Sequence, residues 1–504
     1  MLSRFHFGVA LCWVSILAAA VFLRFEDLAS RPIHADEATG ARIAAQRMES
    51  GGTGFDPTHY HGPTQSRFAM TICHWRGENS WREMSKGTLR ILPAIAGSLL
   101  VLLPFFWRKR IGDASALLAA ALLAGSPLLV YYSRMFIHEM LLTLFGLAAM
   151  LALAYRAPAL ITGTCIGLMF ATKETFVISL IAWSAAGGLL LFEKGMPQWA
   201  SIRTLWNQHR VAIALAASSA LLTAAFFYTD AFREPRGMLD AIRTFFVYET
   251  AGGHDKPIGY YAKLFALPVK SGGAWWFGTP VILLAATACI HAFGKNPPPQ
   301  ARVIRFIAIS VILHALAYSI IRYKNPWLAC LPWAQLCVLA GFSLAGFSNR
   351  SKATKAWIVA IAAIAIVTQT VQSRHATGRL ASDERNPFAY VPTRQDIEDL
   401  EPWLKKLQAI APGQSIDPIA VIGNGYWPLP WVLRTFENTG YWQSPPQDLA
   451  SMTIVLAMPE HAAAVAKELE ATHQPLPRGL RAGVPVMLFV KRDLWELWMQ
   501  HDPR

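Results

Sequence analysis

Arg31-Pro32-Ile33-His34-Ala35-Asp36-Glu37 is a polar, turn-forming stretch between two apolar runs, about 7–23 before it and 88–107 after it. A second stretch in the same loop, Phe55-Asp56-Pro57-Thr58-His59-Tyr60-His61-Gly62-Pro63, is equally rich in ionisable and turn residues. The contrast between this polar island and its surroundings decides the fold. Hydrophobic residues make up 54% of the 504 and charged residues only 15%, against about 25% charged in soluble domains. Apolar runs recur at close to the length, about 20 residues, that crosses a bilayer as a helix. The reading is a mainly α, multi-span membrane protein.

Working outward, eleven apolar runs stand out: 7–23, 88–107, 114–132, 136–154, 157–172, 175–192, 211–228, 273–293, 303–321, 327–347 and 356–371. Ala18-Ala19-Ala20 mimics a signal cleavage site, but Val21-Phe22-Leu23 continues the apolar run past it, so the first run is expected as an uncleaved helix. Eleven spans place one set of loops, with the N-terminus, on one side. That side holds Arg4, Arg108, Lys109, Arg110, Arg156, Lys194, Arg203, Arg210, Lys295, Arg302, Arg305, Arg350, Lys352 and Lys355 against two acids, Asp113 and Glu193. It therefore carries most of the net charge of +14. An excess of Lys and Arg marks the cytoplasmic side, so the basic character is a topology signal and needs no nucleic acid. The loops 24–87 and 229–272 and the segment 372–504 are expected outside the cytoplasm, in a cell (inner) membrane.

Residues 1–371 are expected as the membrane domain and 372–504 as a small α/β domain. Short apolar runs at 419–423, 453–458 and 484–490 read as buried strands, with helices at 396–410 and 459–472. Five of the six cysteines fall in apolar runs and no C-x-x-C pair occurs, which excludes a zinc ribbon.

The chemistry has several candidates. Asp36-Glu37 suits acid–base work, or else the first turn of a helix over 38–48. His34, His59, His61 and His74 share the loop with Asp36 and Asp56; a divalent ion is compatible with them, although their spacing is irregular. His61-Gly62-Pro63 makes a turn that aims His61, which favours a substrate contact. Arg134, His138-Glu139, Lys173-Glu174 and Arg322-Tyr323-Lys324 sit at the ends of apolar runs on the same side as Asp36. Ionisable groups there face interior cavities or snorkel to the interface. Arg and Lys at that level suit a lipid phosphate. The turn Ala251-Gly252-Gly253-His254 is the nearest to a glycine-rich phosphate loop, and no helical pattern follows it. Trp427-Pro428-Leu429-Pro430-Trp431 offers aromatic faces to a sugar, or else opens a buried helix.

Taken together, the Asp-Glu loop, Ser126-Pro127…Tyr131-Tyr132-Ser133-Arg134 and Ala171-Thr172-Lys173-Glu174 resemble the GT-C-class membrane glycosyltransferases of the dolichyl-phosphate-mannose protein mannosyltransferase and aminoarabinose transferase superfamily. Asp56-Pro57…Tyr60-His61-Gly62-Pro63, Tyr323-Lys324-Asn325-Pro326-Trp327-Leu328 and Trp427-Pro428-Leu429-Pro430-Trp431…Leu433-Arg434 resemble the subfamily labelled "flippase activity-associated". The resemblance implies a polyprenyl-phosphate-linked sugar donor, a glycan, lipid or protein acceptor, and hexosyl or mannosyl transfer outside the cytoplasm. It implies Asp36 as base with Glu37 as companion, and His61, Arg134, Lys173, Glu174, Tyr323 and Lys324 as substrate contacts. The competing reading is a non-catalytic transporter or flippase partner of lipid-linked glycans. Such proteins often carry inverted repeats and midplane polar sites, and neither pattern is found.

Overall fold

The computed structural model describes residues 2–51, 55–193, 199–247, 255–413 and 415–501. Lys194 and the turn 251–254 lie outside the described residues, as does the side chain of Arg4. Each of the eleven apolar runs coincides with helix. The first is α1 (Leu2–Phe25), followed by two helices of the polar loop, α2 (Ala35–Glu49) and α3 (Thr64–Trp75). Then come α4 (Lys86–Ile111), α5 (Asp113–Gly125), α6 (Pro127–Tyr132), α7 (Glu139–Ala154), α8 (Ala159–Phe170), α9 (Phe176–Phe192) and α10 (Trp199–Tyr228). The second loop holds α11 (Gly237–Val247), α12 (Tyr260–Phe265) and a hairpin of β1 (Val269–Ser271) and β2 (Ala274–Trp276). The last helices of the bundle are α13 (Thr279–Phe293), α14 (Ala301–Ile320), α15 (Cys330–Gly341) and α16 (Lys352–Thr377). Among the described residues, six helical segments are long and apolar enough to cross a membrane, and five shorter apolar helices accompany them.

In three of the runs the helix breaks or starts late, each time for a local reason. The run 114–132 breaks at Ser126-Pro127, because proline cannot continue the hydrogen-bond ladder of α5 and instead opens α6. The run 273–293 begins as β2. Gly272 and Gly273, at φ 59° and 75°, make the left-handed turn of the hairpin, so the helix starts only at Thr279. The run 136–154 becomes helical at Glu139, and its first residues form a turn.

Packing inside the bundle relies on small residues. Gly163 and Gly167 of α8 lie one helical turn apart, and an added Cβ at either would meet the backbone of Ala216 or Ala220 on α10. Close backbone approach of this kind holds helices together where the surrounding lipid supplies no hydrophobic drive. At the end of α1, Arg24 donates to the carbonyls of Leu123 (3.0 Å) and Ala124 (3.1 Å), tying it to α5. Arg374 near the end of α16 pairs with Glu26, so α1 and α16 finish at the same end of the bundle.

Beyond α16 the chain runs back over the polar loop. Tyr131 donates to Ala381 O (2.9 Å), Tyr132 to Phe388 O (2.7 Å) and Thr393 to Ile33 O (2.7 Å). The remainder holds α17 (Gln395–Glu398), α18 (Leu400–Ile410), α19 (Leu429–Val432), α20 (Pro459–Leu469) and α21 (Arg492–His501). Its strands are β3 (Ile419–Ile422), β4 (Thr439–Trp442), β5 (Ile454–Ala457), β6 (His473–Arg481) and β7 (Val484–Lys491). They form one sheet in the order β4-β3-β5-β7-β6, with β3 parallel to both neighbours and β7 antiparallel to β5 and β6. β3 and β5 are buried along their whole length, which is why they read as continuous apolar runs. β4 and β6 escape that pattern because they are edges; β6 carries Pro475 and Pro477, which an edge tolerates. This unit docks on the polar loop through Lys86 with Glu398, Arg434 to Met84 O (3.2 Å) and Trp81 against Trp431 (5.4 Å). Leu429 and Trp431 are buried there, so the Trp-Pro-Leu-Pro-Trp segment is a buried helix start.

Candidate active-site cavity

His34, just outside α2, caps it. Its Nδ1 accepts from Asp36 N (3.1 Å), and the Glu37 carboxylate accepts from His34 N (3.0 Å), a reciprocal capping box. With Nδ1 accepting, Nε2 carries the proton and donates to Tyr390 O at 3.0 Å. Glu37 is 1% exposed. Arg90 of α4 grips it with two bonds of 2.8 Å, Phe136 N donates at 2.8 Å, and Arg31 adds a contact at 3.4 Å. Burial alone would raise the Glu37 pKa; the Arg90 and Arg31 charges outweigh it and hold the carboxyl well below the usual range. Arg90 also donates to the carbonyls of Leu28, Arg31 and Pro32. The two carboxylates therefore part company: Glu37 anchors the loop to the bundle, and the Asp36 side chain, 54% exposed, faces a cavity.

That cavity, about 340 Å³, gathers Asp36, His61, Lys173 and Tyr323 with Glu139, Trp327, Tyr390 and Arg481. The His61-Gly62-Pro63 turn lies directly on the turn after α8. A Cβ on Gly62 would collide with the Ala171 carbonyl, Thr64 N donates to that carbonyl (3.1 Å), and the Thr64 and Thr172 hydroxyls meet at 2.8 Å. The two motifs so joined bring His61 Nδ1 to 3.0 Å from the Glu174 carboxylate. Burial tends to raise the Glu174 pKa, but His61 and Lys173 prevail and hold it down to about 2. Lys173 pairs with Glu139, the first residue of α7, at 2.5 Å. Trp327 stands edge-on to His34, Tyr132 and Tyr390, giving the cavity a rigid aromatic wall. Burial raises the Tyr323 pKa, with Lys173 opposing and Asp36 adding to the effect. Arg481, from the end of β6, reaches the cavity from the sheet unit while donating to Gly425 O at 2.6 Å; burial lowers its pKa and Asp36 opposes that.

A second, apolar pocket of about 240 Å³ lies between α12, α13, α14 and α15, lined by residues such as Phe265, Ile282, Val311 and Trp333. Tyr261, on its wall, donates to Asn325 O (2.9 Å), two residues from Tyr323 of the polar cavity. An apolar slot thus adjoins a polar chamber.

Four expected contacts are absent from the cavity lining, and Glu174 is tied to it only through His61. Glu37 is the anchor just described. Arg134 turns towards the end of α1 and donates to the carbonyls of Leu23, Glu26 and Asp27. Lys324 is buried and donates to Lys256 O (3.1 Å) and Ile321 O, fastening the second loop. In place of those two cations the cavity has Arg481, and Glu139 and Tyr390 join the expected set. Glu139 carried a signal, a carboxylate at the end of an apolar run; Tyr390 and Arg481 carried none, since they arrive through chain reversal. Among the described residues no three His, Cys, Asp or Glu side chains gather as for a metal ion. His59 instead pairs with Asp56 (3.2 Å), and His74 meets Asn79 (3.1 Å).

No protein-family model and no curated protein matches the sequence. Solved structures do match the fold. ArnT from Cupriavidus metallidurans in the apo state superposes with a TM-score of 0.62 at 15% identity, covering 96% of this chain and 99% of that one. ArnT bound to undecaprenyl phosphate gives 0.62 at 14%, covering 95% and 98%. The archaeal oligosaccharyltransferase AglB from Archaeoglobus fulgidus, in complex with an inhibitory peptide and a dolichol-phosphate, gives 0.51 at 15%, covering 92% and 72%. The chain has the fold of the GT-C-class membrane glycosyltransferases.

Proposed function

We propose that this chain transfers a sugar from a polyprenyl-phosphate donor to an acceptor hydroxyl on the extracytoplasmic face of the membrane, with Asp36 as general base. The observation that carries the reading is the half-exposed Asp36 carboxylate facing Lys173 and Arg481 in one chamber beside an apolar slot. Support for a lipid-phosphate donor comes from the shared fold and from the undecaprenyl phosphate and dolichol-phosphate present in two of the similar structures.

In this mechanism the prenyl chain lies in the apolar slot and the phosphate enters the chamber. The acceptor oxygen attacks the anomeric carbon as Asp36 takes its proton. The bond from that carbon to the phosphate oxygen breaks, and the electron pair leaves with the polyprenyl phosphate, inverting the centre. Arg481 and Lys173 face the charge that develops there, and cations held in place before the reaction stabilise it without reorganising. Lys173 is held by Glu139, so Arg481 supplies the less compensated positive charge. The orientation rests on charge. Arg90 near the start of α4 meets Glu37, so Arg108, Lys109 and Arg110 at its end lie at the opposite end of the bundle from the cavity.

The test is sugar transfer by the purified chain in proteoliposomes supplied with radiolabelled polyprenyl-phosphate sugars. Wild type forms labelled product, and Asp36→Asn reduces turnover by about 10²–10⁴-fold. Full activity in that variant would sink the assigned base. Saturable donor binding without product from any donor would favour the non-catalytic transporter or flippase-associated reading.

A further inference from the structure

A second group of charged side chains lies at the opposite end of α2 from Asp36. Arg47, in the last turn of α2, is only 4% exposed, and among the described residues it makes no hydrogen bond or ion pair; its Nε is buried without a partner. Its neighbours add positive charge. Burial lowers the Arg47 pKa and the charge of Arg67 on α3 lowers it further, while Arg67 itself is joined to Asp230, which Arg233 also approaches (3.9 Å). Glu234 attracts Arg47 without pairing with it. One carboxylate thus serves two of three arginines, and the deepest guanidinium is paired with no carboxylate among the described residues. A buried charge left in that state is costly, which implies an anion that the cluster is built to receive.

The surroundings identify the kind of anion. Asp230 lies two residues beyond the end of α10, a helix long enough to cross the membrane, so the cluster sits at headgroup level. Phe68 packs on Phe227 and Phe55 on Tyr228, fixing the turn against the polar loop. Asp230, Ala231 and Phe232 are all left-handed, at φ 51°, 57° and 67°, a backbone that residues with side chains adopt only at a cost. The turn leads into α11. Gly237, Ala241 and Thr244 form its buried face, and Leu239, Ile242 and Phe246 form the opposite one, exposed by 64%, 53% and 83%. Phe245 meets Phe170 at the end of α8, so the helix lies across the ends of the membrane helices. A free phosphate would match the arginines and leave the apolar face unexplained; a lipid matches both.

We propose that Arg47, Arg67 and the outward face of α11 bind an anionic phospholipid of the leaflet on the cavity side, its phosphate against the arginines and its acyl region against Leu239, Ile242 and Phe246. This site is separate from the reaction cavity and does not depend on the assigned activity. α11 behaves as an interfacial amphipathic helix, and the arginines favour anionic headgroups.

The test uses the full chain in nanodiscs of phosphatidylcholine with or without phosphatidylglycerol, with native mass spectrometry counting retained lipid. Wild type retains phosphatidylglycerol over phosphatidylcholine, Arg47→Gln loses that preference by about tenfold, and Phe246→Ser lowers retention of both lipids alike. In lipid-free neutral detergent Arg47→Gln melts no lower than wild type, because an uncompensated buried charge has gone. If Arg47→Gln fails to fold, Arg67→Gln, the other arginine placed against the phosphate, carries the same readout. Unchanged phosphatidylglycerol preference in the variants overturns the site. Protection of wild type by inorganic phosphate in detergent equal to that by phosphatidylglycerol overturns the lipid assignment.

Discussion

Neighbouring carboxylates should give opposite phenotypes. Glu37→Gln preserves shape but removes the charge that Arg90 and Arg31 surround, and it puts an amide donor where Arg90 or Phe136 N already donates. Two charge-assisted bonds of 2.8 Å from Arg90 are lost or weakened, each worth about 1.5–3 kcal/mol. Removing one partner of a buried ion pair costs about 3–5 kcal/mol in total. Since Arg90 also holds the carbonyls of Leu28, Arg31 and Pro32, the loss should loosen the whole loop. Asp36→Asn, at a half-exposed position, should stay within about 0.5 kcal/mol of wild type. Thermal unfolding of purified variants in one detergent, with chemical denaturation for the free energy, measures both. The double variant Glu37→Gln/Arg90→Met should lose less than the sum of the singles, because no charge is left stranded. A Glu37→Gln protein as stable as wild type, or strict additivity in the double variant, would refute the anchor.

Other outcomes follow from the same geometry. Gly62→Ala drives a methyl into the Ala171 carbonyl and should cost about 1–3 kcal/mol, read as a lower melting temperature; a neutral result means that the two turns are not in contact. Arg481→Ala should weaken polyprenyl-phosphate binding about tenfold or more with little change in melting. Arg134→Ala should do the reverse, because its bonds go to the carbonyls that end α1; swapped phenotypes would return Arg134 to the phosphate. Acid should loosen the loop in a defined window. The Glu174 pKa is depressed from 4.5 to about 2, so its contribution is complete above 4.5, shrinks as pH falls through that interval and is gone at about 2. Glu174→Gln should flatten that part of the unfolding profile, and an unaltered profile would count against the His61–Glu174 pair.

Local chemistry carried far along this chain. Apolar runs of bilayer length cannot remain in water, so all eleven appear as helix, and polar residues between them mark the loop where chemistry concentrates. Gly62 and the Lys173-Glu174 turn were recognisable as turns, though not as partners 108 or so positions apart, the separation of the Thr64–Thr172 bond that joins them. The strands β3 and β5 were readable because burial on both faces makes them uniformly apolar, whereas β4 and β6 lie at edges and show no such run.

Sequence by itself thus determined a membrane helix bundle, a polar loop at one end and a small α/β unit at the C-terminus, because hydrophobic periodicity and charge bias are local properties of the chain. Only tertiary structure decided which ionisable groups share the cavity. Asp36 and Glu37 are adjacent and chemically alike, yet Arg90, 53 positions from Glu37, buries one and leaves the other open to the cavity. Arg134 and Lys324 have the charge a phosphate would seek, but nearby carbonyls hold them outside the cavity. Arg481 reaches the cavity only because the sheet unit folds back over the loop, and a contact made by chain reversal leaves no trace in the order of residues.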